Sequence, residues 1–328
     1  MVAKNFFLLC LIMAIGCSSK TAVVENYGGV DPFDAKTNPI INESYLPEID
    51  GPDEQLSSNK FGPPLESTNE PIQIKKSSRM PTVAVVLGPG LYLGFGHIGI
   101  LKTLKKYHIP VHMLSAVGFS SIIAAYYATS ENLSSAEWDV FKFIQEDDNF
   151  WAQDENWKRA IKDRFLKRFL EVNIQDLSLP LILPIFSKKS GKMVYESRGK
   201  IAPLLETSIF TSNLQKNTEF ESALFHQIFN ETELIQKGAD IVLFFDVLVH
   251  DLALRVNNGF IVGIYSSVIG KIQSERSRLQ YYFPVDCGNF EIDSKKDIVS
   301  VIKFCEQNSV KLIPEIKKIL AHWMDGQQ

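Results

Sequence analysis

Ser120 sits in the run Gly118-Phe119-Ser120-Ser121-Ile122, after an apolar stretch and before a helix-like one. Upstream, the β-branched run Val83 to Leu87 ends in a glycine-rich turn that contains Gly88, Gly90 and Gly94. A serine in a tight strand-to-helix turn presents its hydroxyl to a carbonyl carbon. Backbone N–H groups of a neighbouring glycine-rich turn can hold the oxyanion that forms. Together the two turns point to acyl transfer through a serine nucleophile. The six histidines, His97, His108, His112, His226, His250 and His322, have no cysteine or carboxylate at zinc spacing, so neither a metal nor another cofactor is expected.

The elements that must position this chemistry follow from periodicity. Thr82 to Leu87 reads as a buried strand. Ile98 to Tyr107 places Ile98, Leu101 and Leu104 on one helical face and its lysines elsewhere. A second strand is expected to begin at Ile109-Pro110-Val111, and Ser121 to Ala128 to continue as a helix. Strand–helix–strand–helix implies a parallel sheet with crossover helices, hence an α/β fold. Asn132 to Leu170 is expected to be helical and carries Trp138, Phe141, Trp151, Trp157, Phe165 and Phe169. That stripe is read as ordinary helix packing in preference to a lipid-facing cap. Leu177 to Phe186 reads as a strand interrupted by Pro180 and Pro184, and Ser190-Gly191-Lys192 as a hairpin turn. Lys237 to Asp240 ends a helix ahead of a strand over Ile241 to Val247. Asp293 to Leu320 is expected to close the chain with helices, capped over Asp293 to Asp297.

The chain has 328 residues and a formal net charge of −4, so no global basic field advertises nucleic-acid binding. Its first residues read as a targeting segment: Lys4, then an apolar run from Phe6 to Ile15 too short to span a bilayer comfortably. Ala14-Ile15-Gly16-Cys17 resembles a bacterial lipoprotein cleavage box, with Ala14 where leucine is commoner; a plain secretory signal and an uncleaved anchor are the alternatives. On that resemblance residues 1–16 are removed and Cys17 carries the lipid. Residues 17–79 form a flexible tether of Asn, Pro, Ser, Glu and Gly, and 80–328 the domain. Ser18 fits outer-membrane sorting in this class. Cys287 and Cys305 remain; they could pair in an exported protein, but Cys305 lies in an apolar helical pattern, and buried thiols are marginally preferred.

From about residue 81 to 320 the chain resembles the patatin-like lipid acyl hydrolases. The resemblance rests on Leu87-Gly88-Pro89-Gly90 before Gly94-Phe95-Gly96-His97, on Ile174 to Pro180, on Gly238 to Val242 and on the segment from Tyr281 to Leu320. It implies a three-layer sandwich with a mainly parallel central sheet and crossover helices. It also implies a serine–aspartate pair without histidine, with Ser120 as nucleophile and Gly88, Gly90 and Gly94 in the oxyanion loop. His97 falls on a position that is structural rather than catalytic.

Several positions depart from the family pattern. Ile122 replaces the second glycine of the serine turn, where a β-branched side chain would crowd the neighbouring backbone. Leu93 stands in the place of the family's Arg or Lys, and Pro89 and Leu91 in places usually glycine. Proline has no N–H to give, and losing one oxyanion donor costs about 100- to 1,000-fold in turnover. Ser222 falls where the aspartate base should be, and a serine is no base. Asp286 is the substitute base considered first and Glu221 the second, while Asp240 and Asp246 read as strand-end structural residues.

The sequence reading is therefore a membrane-anchored lipoprotein of the cell envelope whose patatin-like site is degenerate. Its partners would be the membrane, through the lipid anchor, and a lipid ligand or a protein it scaffolds. The alternatives are a working serine acyl hydrolase acting on phospholipid or other acyl esters through Ser120, and a fold kept for structure alone.

Overall fold

The computed structural model describes residues 79–145, 154–211, 214, 219–229, 231–249 and 259–326. The expected leader, Cys17, the expected tether as far as residue 78, Trp151 and His250 lie outside the described residues.

The apolar runs become the strands of one mixed sheet: β1 (Val83–Leu87), β2 (Met113–Ala116), β3 (Leu181–Ser187), β4 (Lys192–Glu196), β5 (Phe220–Ser222), β6 (Ile241–Asp246) and β7 (Tyr281–Pro284). Their order is β4-β3-β2-β1-β6-β7, with β5 also on β3. β1 pairs in parallel with β2 and β6, and β2–β3 and β6–β7 are parallel too. Only β4 and β5 run antiparallel, both against β3. β1 and β6 are buried at every residue, as a parallel sheet covered on both faces requires. The fold is thus α/β, with a mainly parallel sheet flanked by helices.

The helices are α1 (Gly96–Lys106), α2 (Ser120–Ser130), α3 (Ser134–Gln145), α4 (Glu155–Ile161), α5 (Ile201–Ile209), α6 (Glu231–Gln236), α7 (Gly259–Glu275), α8 (Ile298–Ser309) and α9 (Ile313–Asp325). α1 packs chiefly on α8, and α2 on β2 and α5. No described helix is long and apolar enough to cross a membrane.

Several boundaries differ from the sequence expectation. The second strand begins at Met113, because the stretch before it closes α1. His108 turns left-handed at φ 58°, and the Ile109 N–H returns to the Leu104 carbonyl at 2.9 Å. β3 starts at Leu181, after a 3-10 turn over Ile174–Asp176. Pro184 is tolerated inside it, since on that side β3 has left β2 at Ile182 and meets β5 only at Ile185. The long helix expected to Leu170 is broken into α3, α4, a π turn over Lys162–Leu166 and a 3-10 turn over Lys167–Phe169. The Ser294 side chain makes no capping bond. Cys287 and Cys305 form a disulfide, against the preference for two thiols, because the chain leaving β7 brings Cys287 to α8 with the Cα atoms 4.6 Å apart.

The aromatic stripe divides. Trp157, Phe165 and Phe169 are fully buried, whereas Trp138 and Phe141 lie on the outer face of α3, 56% and 48% exposed, with rings stacked 5.9 Å apart.

Candidate functional site

The chain order leaves β1 toward β2 and β3 on one side, then returns to β6 and β7 on the other. The carboxyl ends of β1 and β6 therefore form the topological switch point, where open α/β sheets leave a crevice for ligands. The loop after β1 and the serine turn after β2 both arrive there.

The serine turn keeps the geometry its sequence calls for. Gly118 adopts φ 64°, a left-handed conformation that costs glycine nothing, and α2 begins at Ser120. Ile122 is accommodated, wholly buried on the first turn of α2. The hydroxyl it should present is not accessible. Ser120 is 0% exposed, and its Oγ donates to the Gly88 carbonyl at 2.7 Å. A peptide carbonyl takes a hydrogen bond but not a proton, so this partner cannot make the alkoxide. A Cβ added to Gly94 would stand 2.8 Å from Ser120 Oγ, so the loop rests directly on the hydroxyl.

Two N–H groups of that loop are turned to the protein. Gly88 N–H donates to the Phe245 carbonyl at 2.9 Å and Tyr92 N–H to the Ile292 carbonyl at 3.1 Å. Pro89 has none to offer. Leu91 has the left-handed conformation typical of a glycine, φ 46°, and its backbone lies beside the buried phenol of Tyr265. Burial dominates that phenol and raises its pKa. The left-handed turn costs a leucine about 1–2 kcal/mol. Full burial of the side chain returns about 1.5–3 kcal/mol, so the exchange is sustainable. Gly90 packs on Val247, just beyond β6, and closes the crevice from that side.

Aromatic rings fill the remaining space. Phe119, beside the serine, packs on Phe95 at 5.0 Å, Tyr92 at 5.8 Å and Trp157 at 6.1 Å. Trp157 Nε1 donates to the Tyr92 hydroxyl at 2.8 Å, satisfying the polar atom of a fully buried indole. Leu91 and Leu93 are buried with them, so Leu93 brings no cation and no polar atom to the site.

No described carboxylate reaches Ser120. Asp286 is exposed, and its Oδ1 accepts from Gly288 N–H within its own turn. Glu221 accepts from His226 and lies 3.0 Å from Lys188; the His226 bond, then Lys188, hold its pKa down. Asp246 is buried at the end of β6, taking the Tyr282 hydroxyl at 2.5 Å and Leu248 N–H at 2.9 Å, and burial raises its pKa. Asp240, at the other end, is paired with Arg79 and kept ionised by it. Both aspartates are strand-end residues, as read from the sequence.

Ser222 is brought close, but through an intermediary. Its Oγ donates to the Ser208 carbonyl at 2.6 Å, and Ser208 Oγ accepts from Gly118 N–H at 3.1 Å. The position expected for a base thus communicates with the serine turn through Ser208. His97 is wholly buried, with Nδ1 2.9 Å from the Gly94 carbonyl and Nε2 3.4 Å from that of Phe245. Burial outweighs both carbonyls and lowers its pKa to about 4, so the ring is neutral and its single N–H donates to one of the two, the nearer being the Gly94 carbonyl. Ser208, Tyr265 and Ile292 escape the sequence reading, and no local pattern marks them, because each acts through one contact from a distant segment. Among the described residues no group of His, Cys, Asp or Glu is placed to hold a metal ion.

No family model matches the chain, and no curated protein matches it. Among solved structures it is similar to VipD from Legionella pneumophila, at 9% sequence identity and a TM-score of 0.42, over 72% of this chain and 67% of that one.

Proposed function

We propose that this chain is a divergent patatin-like protein, held at the cell envelope by lipid on Cys17, whose serine centre does not hydrolyse esters. It acts by binding lipid or, in preference, by scaffolding a partner at the membrane. One observation carries the reading: the Ser120 hydroxyl is fully buried and gives its hydrogen bond to the Gly88 carbonyl, where a hydrolase needs a carboxylate. The engaged N–H groups of Gly88 and Tyr92 support it, since an oxyanion would have to displace each partner. Scaffolding is preferred because Phe119, next to Ser120, is packed on Trp157, and Leu91 and Leu93 of the covering loop are buried as well.

A second reading, an active acyl hydrolase, has one observation in its favour: the left-handed Gly118 and Ser120 at the first turn of α2 keep the shape of a nucleophile turn. Treating the full chain in detergent with a fluorophosphonate probe separates the two. No labelling of folded protein is expected; labelling lost in Ser120→Ala would sink the first reading in favour of the second. Anchoring is tested separately. Cys17→Ala should move the protein out of the membrane fraction, and unchanged membrane retention would overturn the lipid assignment.

A further inference from the structure

Behind the loop that covers Ser120 lies the Cys287–Cys305 disulfide. Cys287 follows β7 and Cys305 is on α8, and both are buried. Gly96, the first residue of α1, rests on the two sulfurs: a Cβ there would stand 2.3 Å from Cys305 Sγ and 3.2 Å from Cys287 Sγ. Two residues earlier, Gly94 stands in the same relation to Ser120 Oγ. The bridged segment also includes Ile292, whose carbonyl takes the Tyr92 N–H. The disulfide-closed segment therefore grips the serine-covering loop at both of its ends, by sulfur at Gly96 and by a backbone hydrogen bond at Tyr92.

We propose that the Cys287–Cys305 disulfide is a redox latch that holds Leu91–Gly96 down over Ser120. The inference rests on the reading that this serine is sealed in an exported protein. Closing the latch removes two protons and two electrons from the two thiols. An oxidised thiol–disulfide oxidoreductase accepts them as its own disulfide becomes a dithiol; a reduced dithiol reverses the exchange. Two unbonded sulfurs need more room than a bonded pair, and Gly96 stands against both of them on one side. Reduction is expected to push on the start of α1, which continues into the loop on Ser120. An oxidising envelope keeps the latch closed, and the chain before export is unlatched.

The test is amide hydrogen exchange on the full chain, oxidised, reduced by a phosphine, and as Cys287→Ser/Cys305→Ser, with alkylation and mass spectrometry confirming two free thiols after reduction. Exchange over Leu91–Gly96 should accelerate about tenfold or more in the reduced and double-serine forms, while Val83–Leu87 keeps its protection. Unchanged exchange at Leu91–Gly96 with both thiols free would overturn the latch. So would an equal acceleration in β1, which would make the disulfide a general stabiliser. Fluorophosphonate labelling of the same samples judges the other reading: labelling of the oxidised protein would overturn the sealed serine and leave the latch to the exchange result.

Discussion

The turn after β2 and the loop after β1 meet at Ser120, and they have been built by opposite rules. In the first, Gly118 is left-handed and the helix starts on the serine, as the local residues dictate. In the second, a leucine takes a glycine's conformation, a proline offers no donor, and the N–H groups of Gly88 and Tyr92 are satisfied by Phe245 and Ile292. A nucleophile turn is a local structure and survives on two residues. An oxyanion site is a set of donors left unsatisfied, and it disappears as soon as the surrounding packing reaches them. A serine turn thus reports backbone shape, while its chemistry depends on what other segments do to its neighbours.

The comparison can be broken or sharpened by substitution. The largest effect is expected for Trp157→Ala, which empties the aromatic cluster and leaves the Tyr92 hydroxyl without the indole donor. Loss of about 3–5 kcal/mol is expected in denaturant unfolding. A loss below about 1 kcal/mol would mean the cluster is not packed on the loop as described.

Next is pH. The neutral, buried His97 binds no proton in the folded state until about pH 4, whereas the unfolded ring takes one up below about 6.5. A depressed pKa gives stability that is complete above 6.5 and is lost as pH falls toward 4, by about 3 kcal/mol from this residue. Urea titrations across that window should show the fall, and His97→Gln should flatten it. A profile identical in the variant would remove His97 as the cause.

Gly94→Ala is expected to cost about 1–3 kcal/mol, because its new Cβ meets the serine hydroxyl. Ser120→Ala alone should cost about 1 kcal/mol for the bond to Gly88. The double variant should recover part of the sum, since the atom that the new Cβ meets is then gone. Strict additivity would show that loop and serine do not press on each other.

Leu91→Gly should be the mildest change, within about 1 kcal/mol, as relief of the left-handed turn offsets lost burial. Its informative readout is fluorophosphonate labelling, which should stay absent; its appearance would identify the leucine side chain as the seal.

The sequence by itself determined the fold class, the strand–turn–helix that carries Ser120, the helix end at Gly238 and the closing helices. Each follows from period, glycine placement and β-branched runs within one segment. The family resemblance, not the sequence pattern itself, marked Ser222, Leu93 and Pro89 as departures from the expected site. Tertiary structure alone decided that the hydroxyl turns to Gly88, that Phe245 and Ile292 take up the Gly88 and Tyr92 N–H groups, that Trp157 is buried while Trp138 is not, and that Cys287 meets Cys305. Those outcomes depend on contacts between residues far apart in the chain. Local propensity carries no information about such pairings; only the packing of the sheet and its helices brings them within bonding distance.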